Sequence, residues 1–181
     1  MAKSIRPGRC YHWDSPAYTR VSKNPADSFI TGIPGSKINR YELGNVKAKF
    51  NTCLSIVTNN NQMVRHNSLE SARITATKVL TEKVGANNFK LKVRVFPHHI
   101  MRENVGAVGA GADRVSDGMR HAFGKPIGQA ARAHKGQAII SVYFDKDEEK
   151  FANVKRALKN SIHKLPGDMV LVESKMVYKD E

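Results

Sequence analysis

Apolar and cationic residues alternate over 88–96, where Phe89, Leu91, Val93 and Val95 are separated by Lys90, Lys92 and Arg94. A period of two sends the first set to one face of a strand and the second set to the other. One face predicts core. The other presents three cations in a row, spaced roughly 7 Å apart by strand geometry, which suits a phosphate backbone. Pro97 ends this run. A period near 3.6 appears over 68–84, with Leu69, Ala72, Ala76, Val79, Leu80 and Val84 on one predicted helix face. Asn67 stands where it can cap this helix, Glu70 three residues on completes a capping-box-like pair, and Gly85 is a stop signal. A second helix is predicted over 147–163, with Phe151, Val154, Leu158 and Ile162 as its apolar stripe. Asp147, Glu148 and Glu149 crowd its start, and Lys159 and Lys164 its end. Both groups complement the helix dipole, so the acidic cluster needs no metal to explain it.

Shorter strand-like stretches lie at 38–43, broken by Gly44-Asn45, and at 52–57, before a loop at Asn59, Asn60 and Asn61. Two more, 128–133 and 137–144, flank a turn at Lys135-Gly136, and Pro166-Gly167 turns the chain into a last strand, 169–173. Helices and strands alternate irregularly, which predicts an α+β domain with a mixed or mostly antiparallel sheet and two main helices. No internal repeat and no second domain is visible. The expected organisation is an extended basic N-terminal segment 1–36, a compact single domain 37–175 interrupted by a flexible loop 102–117, and a tail 176–181. The N-terminal segment is punctuated by Pro7, Pro16, Pro25 and Pro34, each of which disfavours helix. Tyr11, Trp13, Tyr18 and Phe29 are interleaved there with Arg6, Arg9, Arg20 and Lys23. Such a segment is a poor core element alone, but against RNA it offers guanidiniums for phosphates and rings for stacking.

Charge sharpens this picture. The 181 residues suffice for one domain with a real core. They carry a formal net charge of +14 with a pI near 10.0, which points to a polyanion, either nucleic acid or an anionic membrane. The excess is uneven. Residues 1–50 carry nine Lys/Arg against three Asp/Glu, and residues 88–137 carry the same. Residues 138–181 carry eight of each and are neutral. The polyanion is therefore expected at the N-terminal third and the middle, not at the C-terminal quarter. The two cysteines, Cys10 and Cys53, form no CxxC pair, which excludes a zinc ribbon and disfavours a disulfide framework. A reduced intracellular compartment fits. The first residues lack the apolar stretch of a secretory signal, and no run approaches the roughly 20 apolar residues that span a bilayer.

Several motifs fail on inspection. Gly118-Met119-Arg120-His121-Ala122-Phe123-Gly124-Lys125-Pro126 places five residues between its glycines where a P-loop needs four, and Pro126 stands where a hydroxyl would hold magnesium. Gly109-Ala110-Gly111-Ala112-Asp113-Arg114 begins like a dinucleotide fingerprint, but Arg114 replaces its third glycine. His98 and His99 diverge if the strand conformation persists, and neither HExxH nor a cysteine pair lies near. Ser116-Asp117-Gly118 lacks the first glycine of a nucleophile elbow. No catalytic set, metal site or cofactor site is expected.

Several stretches, taken in order, carry a family likeness. They are Arg6-Pro7-Gly8-Arg9-Cys10-Tyr11, Gly32-Ile33-Pro34-Gly35-Ser36-Lys37-Ile38 and Leu69-Glu70-Ser71-Ala72-Arg73. Val93-Arg94-Val95-Phe96-Pro97-His98-His99-Ile100-Met101-Arg102, the Gly109–Arg114 and Gly118–Pro126 motifs quoted above, and Gly136-Gln137 complete the set. From about residue 5 to 170 the chain resembles the universal L-sixteen family of large-subunit ribosomal proteins, in its archaeal and eukaryotic L-ten-e branch. The resemblance implies an α/β-hammerhead-type fold seated between ribosomal RNA helices near the base of the central protuberance. It implies neighbouring ribosomal proteins as partners, a cytoplasmic ribosome as location, and proximity to aminoacyl-tRNA and the peptidyl-transferase centre. In that family the glycine-rich loop points toward the tRNA acceptor ends; here the tRNA-facing positions are Arg102, Gly106, Gly109, Gly111, Asp113 and Arg114. The tail after Pro166 and the Asn-rich loop suggest an archaeal source.

The expected RNA contacts are Arg6, Arg9, Tyr11, Trp13, Arg20, Lys37, Arg40, Lys90, Lys92, Arg94, His98, His99, Arg120, Lys125 and Arg132. The leading expectation is a structural, non-enzymatic constituent of the large subunit that binds its RNA and helps position tRNA. Two other classes compete: a nucleotide-dependent RNA-modifying enzyme, which nucleotide binding by the purified chain would favour, and a free tRNA- or DNA-binding module, which fractionation away from ribosomes would favour.

Overall fold

The structure is a computed structural model, and it describes residues 8–11, 13, 16–19, 24, 26, 30, 32–103 and 124–175. In chain order the elements are β1 (Glu42–Gly44), β2 (Thr52–Thr58), β3 (Gln62–Arg65), α1 (His66–Lys83), β4 (Phe89–Val93), β5 (His99–Glu103), β6 (Lys125–Ala133), β7 (Ala138–Phe144), α2 (Glu148–Ile162) and β8 (Met169–Lys175). Five strands form one sheet in the order β1-β4-β7-β2-β8, and three form a second in the order β3-β6-β5. The fold is α+β with two main helices, as the sequence pattern predicts. Every strand pair among the described residues is antiparallel, so the sheets are not mixed.

The large sheet buries its apolar phase. Phe89, Leu91 and Val93 of β4, Leu54 and Ile56 of β2, and Ile140, Val142 and Phe144 of β7 join one core cluster with both helices. Helix α1 contributes Leu69, Ala72, Ala76 and Leu80, each fully buried, and Val84 just past its end. Helix α2 contributes Val154, Ala157 and Leu158, with Phe151 and Ile162 partly buried beside them. Small residues let the two helices approach closely: the Ser161 hydroxyl donates to the Ala72 carbonyl at 3.1 Å and to that of Ala157 at 3.0 Å. That buried hydroxyl is satisfied, which removes the penalty of burying it.

The two sheets are joined by one ribbon. Strands β2 and β7 pair in the large sheet, and their chain neighbours β3 and β6 pair in the small one. At the crossing, Gly136 N–H donates to Thr58 O at 2.8 Å and Lys135 N–H to Asn61 Oδ1 at 2.8 Å. The Asn-rich stretch is therefore half of a double crossing, and Gly136 takes φ +80° on the other half.

Several local expectations need correction. Helix α1 begins at His66, two residues before the predicted start, with Arg65 as its cap residue and no side-chain cap. The Asn67–Glu70 capping pair does not form. Glu70 instead accepts from Arg73 Nε at 2.8 Å, because residues three apart on a helix are neighbours. Strands β3 and β5 fall where no strand was expected; the first is only four residues long, and the second opens on His99 two residues after Pro97. Strand β6 begins at Lys125, three residues earlier than predicted.

Edge strand β1 ends on Gly44, which has φ +83°, a region that non-glycine residues rarely adopt. A Cβ there would also lie 2.2 Å from the Phe89 carbonyl oxygen. Gly44→Ala should lower stability by about 1–3 kcal/mol, read as a lower urea midpoint at unchanged slope. Gly136→Ala, with similar φ but nothing within 4 Å of the new Cβ, should cost less. Equal midpoints for the two variants would show that the β1 approach to β4 is not as tight as described.

Candidate nucleic-acid interface

Burial of Phe89, Leu91 and Val93 turns Lys90 and Lys92 to the opposite face of the large sheet. Alternating burial continues past the strand: Val95 and Pro97 are buried, while Arg94, Phe96 and His98 are exposed. Backbone pairing extends one step further too, since Arg94 N–H donates to Ile139 O at 2.8 Å. The three cations are partly engaged by neighbours. Lys92 Nζ lies 2.6 Å from Glu42 Oε1, and Lys90 Nζ lies 4.0 Å from Glu42 Oε2 and donates to Val46 O at 3.2 Å. The Lys92 hydrogen bond, with further help from the Lys90 charge, holds the Glu42 carboxyl below the usual carboxylate range. Arg94 donates to the Tyr143 hydroxyl at 3.1 Å. The register places Lys92, Ser141 and Ser55 in one row across the sheet, but both serines are buried and lie 2.8 Å apart, oxygen to oxygen, so the exposed cationic face does not run inward along this row.

A second cluster forms where the N-terminal segment meets the small sheet. Tyr11 and Trp13 pack with Ile127 against buried Met63, Met101 and Ala130. The Arg132 guanidinium lies 4.6 Å from the Trp13 ring centroid and donates to the Trp13 carbonyl. Arg102 lies 3.8 Å over the Tyr18 ring. Trp13 meets the His134 ring edge-on at 4.7 Å, and the Tyr11 hydroxyl donates to Glu103 Oε1 at 2.8 Å. The pairing of rings with guanidiniums expected against RNA is thus made within the chain: cations from β5 and β6 stack on rings from the N-terminal segment. Glu42, Glu103, Phe96 and Tyr143 take part in these surfaces although the sequence pattern did not single them out as contacts.

The adjacent histidines do diverge. His98 is exposed, with Nδ1 3.0 Å from Phe96 O. His99 is partly buried, and its Nδ1 accepts the Tyr18 N–H at 3.0 Å. Lys37, Arg40 and Lys125 are exposed; the Lys37 backbone N–H donates to buried His66 Nδ1 at 3.1 Å. The Arg9 side chain, Arg6, Arg20 and Arg120 lie outside the described residues, as do Gly106, Gly109, Gly111, Asp113 and Arg114. The site therefore has two described parts, the β4 face and the ring–guanidinium cluster. Among the described residues no three His, Cys, Asp or Glu side chains gather as metal ligands. No described helix is long and apolar enough to cross a membrane.

A basic strand face and a cationic cluster on an antiparallel α+β frame define a nucleic-acid-binding class. The chain belongs to the ribosomal protein L16p/L10e family, whose sequence profile matches residues 14–172. It is a ribosomal protein, a structural component and not an enzyme. Relatives named large ribosomal subunit protein uL16 include one from Methanocella arvoryzae, 42% identical over 89% of this chain and 90% of its own length. Another, from Archaeoglobus fulgidus, is 42% identical over 94% of this chain and 93% of its own, and one from Methanoculleus marisnigri is 46% identical over 88% and 89%.

His99 gives a pH signature. Burial first, then the charges of Arg132, His98 and Arg102, push its pKa down from 6.5 to about 4. The unfolded chain therefore binds a proton that the folded chain refuses, and stability present above pH 6.5 is lost as pH falls toward 4. Buried His66, lowered mainly by desolvation, acts in the same direction. The melting temperature should fall over this window, and His99→Gln should flatten the fall. A His99→Gln profile parallel to that of the wild type would refute the assignment.

Proposed function

We propose that this chain is a structural constituent of the large ribosomal subunit, working on cytoplasmic ribosomes, that grips large-subunit ribosomal RNA through the β4 face and the surfaces around it. The observation that carries this reading is the run Lys90, Lys92, Arg94, set on a strand whose other face is core. Family membership supplies the RNA. The Glu42 pairs do not oppose it, because exposed ion pairs contribute only about 0–1 kcal/mol and a phosphate can take the carboxylate's place. The same reading gives the 102–117 loop to the tRNA acceptor end. In its support, Glu103 pairs with Lys125, so the segment between them leaves and re-enters the small sheet at one place. Arg102, stacked on Tyr18 at that base, is suited to a phosphate contact.

In a sucrose gradient the chain should sediment with large subunits; recovery only in the ribosome-free fractions would contradict the reading. Affinity for large-subunit RNA should fall steeply with salt, the slope growing by somewhat under one unit per phosphate neutralised. Replacing Lys90, Lys92 and Arg94 together by glutamine should weaken binding and flatten that slope while leaving the melting temperature nearly unchanged. Collapse of the fold with binding per folded molecule intact would mean the facing is wrong. Deleting residues 106–111 should spare folding and incorporation into subunits but slow translation; normal translation would remove the tRNA role.

A further inference from the structure

Phe96 is 61% exposed, the most exposed large hydrophobic side chain among the described residues. A lone exposed phenyl group is ordinary on a protein surface. This one differs in how it is held. Its ring stacks on Tyr41, with centroids 5.5 Å apart and planes 29° from parallel. Its chain neighbours Val95 and Pro97 are both buried. Its carbonyl accepts the His98 N–H at 2.9 Å, closing a tight three-residue turn. Backbone and ring are thus fixed before any partner arrives, and a ring stacked on one side and 61% exposed has its other side open. Tyr41 itself is anchored by the Val93 N–H donating to its carbonyl at 2.7 Å. Its buried hydroxyl finds no hydrogen-bond partner among the described residues.

The charges around the platform select its occupant. Phe96 follows Lys90, Lys92 and Arg94 on one chain segment and precedes exposed His98. An apolar protein surface would have to desolvate these cations without a counter-charge. A nucleotide places phosphates on cations and a flat base on a ring at the same time. We propose that Phe96 is a stacking platform for one unpaired base of RNA, with Tyr41 as the ring beneath it and Arg94 beside it for the adjoining phosphate. This rests on the RNA-binding reading and adds to it a site for single-stranded RNA.

The test compares the full chain with Phe96→Leu and Phe96→Trp on three probes: a large-subunit RNA transcript, a single-stranded RNA oligonucleotide of mixed sequence, and a blunt RNA duplex of equal length. Stacking on one base should make Phe96→Leu bind the single strand roughly tenfold or more weakly, with an unchanged salt slope and no loss on the duplex, whose bases are already stacked. Phe96→Trp should retain binding, and its added indole fluorescence should be quenched by the single strand but not by the duplex. Equal binding of Phe96→Leu and wild type to the single strand, as a protein-docking role would give, overturns the platform while salt-sensitive binding to the transcript still supports the broader reading. Equal losses on single strand and duplex also overturn it, because they indicate a general effect and not stacking. No salt-sensitive binding by the wild type to any probe overturns both.

Discussion

Phe89, Leu91 and Val93 are buried against α1 and α2, and because a strand's side chains alternate, that burial compels Lys90, Lys92 and Arg94 to face the other way. A slip of one residue in β4 would drive three cations into the core, at a cost no surface contact could offset. Pairing of β4 with β1 and β7 therefore has one workable register, and that register sets the electrostatic face. It brings Glu42 beside Lys92 and Tyr143 beside Lys90, so the polar groups that orient the cations follow from the same apolar burial. The core and the charged face are two consequences of a single period.

The small sheet solves a different problem. An N-terminal segment rich in proline and arginine cannot build a core by itself, yet Tyr11 and Trp13 are packed and Tyr18 is pinned. Guanidiniums from β5 and β6 hold it by stacking on its rings, and such cation–ring contacts gain most where water is partly excluded. His99 accepts the Tyr18 amide hydrogen and must stay neutral to do so. Arg102 and Arg132 are thus partly engaged in holding the N-terminal segment, and they remain partly exposed, whereas the cations on and beside β4 face outward. The ribbon that crosses at Thr58 and Gly136 ties the two sheets together.

Much of this was legible in the residues. The two helices and β4 announce themselves because their periods are long and uninterrupted. Strand β3 was not legible, since Gln62-Met63-Val64-Arg65 is too short to display a period and runs straight into a helix. Strand β5 hid behind Pro97 and two histidines, residues that read as a break. The Asn67–Glu70 cap failed because a better local partner, Arg73, stood one turn away. The internal use of Arg132 and Trp13, 119 residues apart, is a long-range fact that no local pattern encodes. Phe96 was passed over although it lies within the predicted strand 88–96, because only cations were read from the outward face, and alternating burial runs on through His98.

The central claim is that the β4 face is buried on RNA while α2 is not, a contrast that lysine acetylation can read directly. Gradient-purified large subunits containing this chain, and the free protein, would be acetylated under identical conditions and compared residue by residue. Lys90 and Lys92 should lose reactivity in the subunit relative to the free protein, whereas exposed Lys155 and Lys159 of α2 should keep theirs. Protection of the α2 lysines, with Lys90 and Lys92 as reactive in the subunit as in free protein, would contradict the account.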